Sequence, residues 1–594
     1  LDADGLTLSG SPSITSLSNG DFELSANGGT MLTVGGTVVD ANPLKIFTRN
    51  SFATSSGITS GTNVTATGST GSSWKFNLHY GNYDGESFDT DPAGDPGYIR
   101  WDDSASDIVV SGNVYSDEGS SVSAVCDNAT PVVVLKVAGA GSYTSVCDGS
   151  GSYSIPGVFF NPGDTLTLFL NTNGGVRAAN VSVDPNTNIS NMNLYENRVI
   201  VRHEDTTPLT IAQMAAFDSD DDTDIPFTAT DAGTDTLVLR PNTKLILWTG
   251  KTFAPAGDIT LQSGGSGAVW DGSLELFANS VFSAAGTQSH SIGGSLTVGS
   301  GASISSANST FTFTATTTGK TIAPGNSSFY TIVFNGTGGN WAFAGPATST
   351  NDFTITAGTV TLSSATTTIA GSFENTGGTF MHNNGTVQLT STATGKNIRP
   401  GSDSFYNLTL NGSGGGWSFV GGSATTSRHF TVNAGSVTLP NTLTIGGSFT
   451  NAGTVTHNSG TIVLTSTLPG RTILASGSSL YNVTFNGSGG EWTWSDTSAT
   501  TNNLTITAGS TTLPAGTLSV AGSFVNSAGS FNNNTGTVRF TATTAGKSIT
   551  PNGSWFSNLT FDGIGGGWTI TENATSSGNT TITNATSLTQ TSGT

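Results

Sequence analysis

Ionisable side chains crowd into two short runs of this sequence, and chemistry is first to be sought there. In DGESFDTDPAGDPGYIRWDD, Asp84, Glu86, Asp89, Asp91 and Asp95 fall within a dozen residues. In IAQMAAFDSDDDTDIPF, the one stretch that reads as a short helix is followed by Asp218, Asp220, Asp221, Asp222 and Asp224. Closely spaced carboxylates in turns suit calcium, which takes roughly six to eight oxygens in a flexible cage. Neither run has the EF-hand spacing with its distal glutamate, so a solvated acidic turn stands beside calcium as a reading of each. Calcium is the one cofactor the residues bring into view.

Other reactive types do not assemble into a site. His203, Glu204 and Asp205 adjoin one another, but neighbours in an extended strand point to opposite faces. The chain has no His-Glu-x-x-His, no paired Cys-x-x-Cys and no nucleophile elbow, and its G-x-G triplets lack the strand-to-helix setting of a nucleotide loop. His382 and His457 recur at equivalent places, yet Asn533 takes the third, an exchange that a corner tolerates and a ligand does not. The expectation is therefore no catalytic residue and no enzyme. A polysaccharide-cleaving β-helix, the remaining catalytic option, needs acids and bases gathered on one face, and only 18 basic residues are present.

Cys126 and Cys147 are the only cysteines, and an exported chain would join them as a disulfide worth roughly 3 kcal/mol. Trp341, Trp417, Trp492 and Trp568 each follow a glycine run. Turned outward they would be ligand-contact platforms for sugar rings; tucked under the glycines they would fill the space those residues leave.

These residues must be held by β structure. Glycine numbers 79, charged residues make up 10%, and Thr, Val, Ile and Phe alternate at period two, which reads as strands and turns. The net charge of −21 disfavours a nucleic-acid partner. No run of about 18 apolar residues crosses the chain, so no transmembrane segment is expected.

The strongest signal is internal repetition. Lys320, Lys396, Arg471 and Lys547 step by 76, 75 and 76 residues, as do the four tryptophans, and FYTIVFNGTGGNW, FYNLTLNGSGGGW, LYNVTFNGSGGEW and FSNLTFDGIGGGW occupy equivalent places. So do IAGSFENTGGTF, IGGSFTNAGTV and VAGSFVNSAGSF. Apolar centres near Leu408, Val432, Leu443 and Val463 divide one unit into four subrepeats of roughly 19 residues, the length of a β-solenoid coil. A string of small β-sandwiches is the competing architecture, but linker-like breaks are lacking between units. The expected fold is all-β: a parallel β-helix over residues 236–594, an acidic linker with a short helix over 203–235, a β-sandwich over 108–202 and a β domain over 1–107. Rungs about 4.8 Å apart would make a rod on the order of 90 Å, with equivalent residues on one face on the order of 19 Å apart. The array stops at Thr594 before its Gly-Ser-Phe segment, so a longer polypeptide or a docked end is expected.

In residues 108–202, IVVSGNVYSDEG and CDGSGSYSIPGVFFNPGDTLTLFL resemble a prealbumin-like or carboxypeptidase-regulatory-like β-sandwich, through Asp117, Gly119, Asp148, Gly151 and Tyr153. The repeats resemble the large repetitive surface proteins of small, often host-attached bacteria and the filamentous-haemagglutinin style of adhesin. That resemblance implies an extracellular, cell-surface protein forming a fibre, stalk or surface layer by self-association. Its alternative is an adhesin that recognises glycans or a host receptor.

Overall fold

The computed structural model describes residues 108–591, apart from Ala140, Pro162, Ala232, residues 266–269 and Ser498, together with the backbone of short strands before residue 108. In that early stretch, Asp21–Glu23, Lys45–Phe47, Tyr98–Trp101, Ser73–Asn77 and Val64–Thr67 join in this order into a five-stranded sheet. The chain divides into two units: residues 1–171, 182–194 and 204–207 form one, and residues 172–181, 195–203 and 208–594 the other.

From residue 106 to residue 170 the strand pairs of the first unit are antiparallel. Ser106–Tyr115 pairs with Ser152–Phe160 across a bulge after Ile108, and Val133–Val137 lies between Gly141–Ser145 and Thr165–Leu170. Asp117 and Asp148 hold the turns: Asp117 Oδ1 accepts the amides of Gly119, Ser120 and Ser121, and Asp148 Oδ1 those of Ser150 and Ser152. Tyr153 donates its hydroxyl to the Met192 carbonyl from the buried face.

The second unit is a parallel β-solenoid of about 19 turns. Its parallel pairing begins at Ala179↔Val199 and continues through Val199↔Leu245, inside the stretch that sequence patterning assigns to the sandwich. Nor is the acidic segment a free linker. Within it, Ile211–Met214 is helical behind a Thr210–Gln213 capping box, and Phe227–Thr230 pairs antiparallel with Thr236–Leu239. That hairpin strand covers the outer edge of the strand that starts one parallel ladder, an edge that would otherwise be open to pairing.

Each coil touches three ladders in turn. The first ladder carries Phe311, Ile332, Phe353 and Phe373. The second carries Leu296, Ile322 and Phe343, and the third Ser349, Ile369, Leu389 and Leu410. Steps such as Ile332↔Phe353 and Phe353↔Phe373 make a turn about 21 residues long. From Thr331 to the start of the next unit at Asn407, the chain lays down eleven ladder segments. Eleven segments shared among three ladders are three and two-thirds turns.

This corrects two expectations. The coil is not a quarter of the repeat, and equivalent residues do not share a face. Ile332, Leu408 and Val483 sit on the first, third and second ladders respectively, and Leu559 is back on the first. Each repeat therefore advances on the order of 18 Å and rotates its features by a third of a turn. Counting apolar centres misleads because Leu408 and Val432 belong to one ladder, Leu443 to another, and Val463 faces outward.

Strands of two to four residues alternate outward Thr, Ser or Asn with inward apolar side chains, so every rung fills the interior. Aromatic rings stack from rung to rung, as in Phe313 on Phe334 (5.1 Å) and Phe353 on Phe373 (5.7 Å). Such pairs add about 0.5–1.5 kcal/mol each beyond their buried area.

Candidate functional site

Among the acidic candidates, Asp84, Glu86, Asp91 and Asp95 lie outside the described residues, and Asp89 is described only as backbone of Phe88–Asp89. The second run is described, and its carboxylates do not converge. Asp218 is buried, and its two oxygens accept the amides of Ala229 (2.5 Å) and Asp220 (2.8 Å). Burial pushes its pKa up, with the charges of Asp220 and Asp221 adding to the rise. Asp224, also buried, accepts the amides of Thr172, Asn173 and Gly174 at 2.6–2.7 Å, and Asp222 accepts the amide of Asp224. Asp218, Asp222 and Asp224 thus direct oxygens at backbone amides. Among the described residues, no group of three or more His, Cys, Asp or Glu side chains gathers as for a metal ion.

Cys126 and Cys147 are joined as a disulfide, their Cα atoms 4.8 Å apart. His203 and Glu204 follow the strand that ends at Val201 and take different partners: His203 Nε2 accepts the Thr252 amide, and Glu204 accepts the Ser182 hydroxyl.

The four tryptophans are all buried, at 0–2% exposure, which removes them as ligand-contact aromatics. The glycines around each ring are the reason. A Cβ on Gly415 would stand 2.8 Å from the Trp417 ring, and one on Gly435, whose φ is +85°, 3.0 Å from it. The same pair of approaches is made to Trp341 by Gly339 and Gly358, and to Trp492 by Gly490 and Gly509. Glycine thus opens a slot in the bulged corner that only a large flat ring closes. The basic series is equally dispersed, because Lys320, Lys396 and Arg471 lie on the second, first and third ladders. Lys320 is 1% exposed, and burial pushes its pKa down against the opposing charge of Asp271.

Sequence reasoning passed over three classes of residue. Asn375, Asn451 and Asn526 are buried inside the column at equivalent positions. Each donates from Nδ2 to the carbonyl of Pro400, Ala475 or Pro551, and accepts from the amide of Gly378, Gly453 or Gly529. They clamp the longest coil of each repeat, for example Phe373↔Ile398. The signal was present in the aligned GSFEN, GSFTN and GSFVN segments. His290, 1% exposed between Phe282 and Phe311, takes a core position, and both its nitrogens lack hydrogen-bond partners.

The third class is an aromatic corner. Tyr406 is half-buried with His382 tilted against it at 5.4 Å, and at the equivalent place Tyr481 has His457 stacked on it at 5.2 Å. The amides of Asn384 and Ser459 donate to Nδ1 of these histidines. The fourth repeat has Ser557 where the tyrosine stands, and Trp555, 57% exposed, projects from the same corner, its carbonyl accepting the Asn533 side-chain amide. Compared with protein-family models, curated proteins and solved structures, the chain matches none of them.

Proposed function

We propose that this chain is an extracellular structural protein, displayed at a cell surface, whose solenoid forms or supports a fibre, stalk or surface layer with a role in attachment. One observation carries the reading: about 19 turns stack without interruption on three parallel ladders. A column paired through its backbone at every rung resists bending without any charge network, which suits a projecting rod. The disulfide fits export to an oxidising compartment. The repeat style, similar to that of repetitive bacterial surface proteins and filamentous-haemagglutinin-like adhesins, supports the same placement, with self-association as the partner relation. No turnover is assigned to the chain, and release of reducing sugar from a polysaccharide panel would overturn that part.

Negative-stain images of the purified protein, with antibody labelling of intact producing cells, test the reading. Filaments, sheets or bundled rods together with surface label are expected. Dispersed particles with label confined inside the cell would refute it. A second reading, an adhesin-type module for a glycan or a host receptor, is favoured by the outward aromatic corners.

A further inference from the structure

We propose that one corner of each of three successive repeats is a stacking platform for a neutral sugar ring, and that the platforms face different directions around the rod. They are formed by Tyr406 on His382, by Tyr481 on His457 and by Trp555 beside Asn533. This rests on the second reading above and is independent of fibre formation.

The core does not need these rings. Phe405, Leu480 and Phe556 already fill the interior of the same corner at 0–1% exposure, and the outward ring is a second large side chain beside each. In the fourth repeat the outward aromatic moves to the other side of Phe556 and becomes Trp555. The corner keeps an outward ring although the residue carrying it changes.

The surroundings suit an uncharged pyranose. Residues 236–594 carry ten basic and ten acidic side chains, so this region is formally neutral and the net charge of −21 resides in residues 1–235. Because Nδ1 of His382 and of His457 accepts a backbone amide, the proton of the neutral ring sits on Nε2 as a donor. Burial pushes the His382 pKa down, which favours that neutral form. Asn383 and Asn384 adopt positive φ beside the His382 ring and add exposed side-chain amides, and Asn458, also at positive φ, turns its side-chain amide to the Leu439 carbonyl. A flat apolar face flanked by amide and imidazole donors is what a sugar ring, with one C–H face and a rim of hydroxyls, requires.

The three platforms are not equal. The Arg428 guanidinium lies 5.8 Å from the Tyr406 ring centre and covers part of it, so Tyr406 is the weakest site and the exposed Trp555 the strongest. The Tyr406 corner joins the second and third ladders, the Tyr481 corner the first and second, and the Trp555 corner the third and first. A rod built this way engages separate saccharide chains on its three edges.

Native electrophoresis of the full chain through gels containing barley β-glucan, galactomannan, arabinoxylan or dextran, with alginate as the anionic comparison, tests the proposal. Retardation by at least one neutral polymer is expected. Trp555→Ala should weaken binding roughly two- to tenfold, and the triple variant Tyr406→Ala, Tyr481→Ala, Trp555→Ala by more than about tenfold at an unchanged melting temperature. Should the triple variant melt early, the single variants Trp555→Ala and Tyr481→Ala decide the matter. Retardation by no neutral polymer, by alginate alone, or equally in the folded variants would overturn it. Electron micrographs of the same samples separate the two proposals: fibres that ignore every polysaccharide sink the platforms alone, and binding by a chain that makes no fibre sinks the structural role alone.

Discussion

Replacing Asn451 with alanine should open the solenoid locally rather than unfold it. Asn451 is fully buried, donates to the Ala475 carbonyl (2.8 Å) and the Ser478 hydroxyl (3.1 Å), and accepts from the Gly453 amide (3.0 Å). Truncation leaves a carbonyl and an amide unpaired in a dry interior, each costing about 1–3 kcal/mol, so a total of about 2–6 kcal/mol is expected. In a quasi-one-dimensional array that loss belongs to the rungs that share the contact. Hydrogen exchange read by mass spectrometry should therefore accelerate roughly 30- to 20,000-fold in peptides covering Gly453 and residues 471–478. Peptides around Thr310–Phe313, several turns away, should keep wild-type protection. Asn375→Ala and Asn526→Ala should act alike on their own rungs. Changes below about threefold at the substituted rung, or a uniform loss of protection along the whole chain, would refute the reasoning.

Three further outcomes follow from the packing. Burial pushes the His290 pKa from 6.5 down to about 4, so the unfolded chain binds this proton first; the associated stability, about 3 kcal/mol, is intact above pH 6.5 and drains away as the pH falls to about 4. His290→Phe should remove that part of the acid sensitivity in denaturant titrations at pH 7 and pH 4, and an unaltered pH dependence would count against it. Trp417→Ala should cost about 3–5 kcal/mol, and Gly435→Ala should also destabilise, since its Cβ would meet the Gly412 carbonyl oxygen at 2.5 Å in a positive-φ position; calorimetry checks both. Replacing Cys126 and Cys147 with alanine should lower the stability of the first unit by roughly 3 kcal/mol, seen as a lower denaturant midpoint for peptides of residues 108–171.

The repeat was legible because period-two alternation and glycine spacing are local properties of the chain. Its phase was not. With strands of two to four residues, the apolar centre near Leu443 looks no different from the one near Leu408, although they serve separate ladders. Only the pairing register reveals that a 76-residue unit spans three and two-thirds turns. The start of the solenoid was hidden for a related reason. Ala179–Val183 and Arg198–Val201 are buried throughout and carry no repeat signature, so nothing local separates them from sandwich strands. In the acidic run, carboxylate spacing is the same whether the oxygens face a cation or, as at Asp218 and Asp224, backbone amides. Glycine before tryptophan carried both readings, and the ring contacts at Gly415 and Gly435 select burial.

Cysteine pairs placed on outward ladder positions test the continuous column most directly. Gln388 with Thr409, and Val463 with Thr484, are in-register neighbours across two successive repeat boundaries, with backbones about 4.8 Å apart. Mild oxidation of the monomer should cross-link both pairs, whereas Val333 with Thr409, equivalent residues on different ladders, should stay reduced. Failure of both boundary pairs, or cross-linking of Val333 to Thr409, would contradict the account.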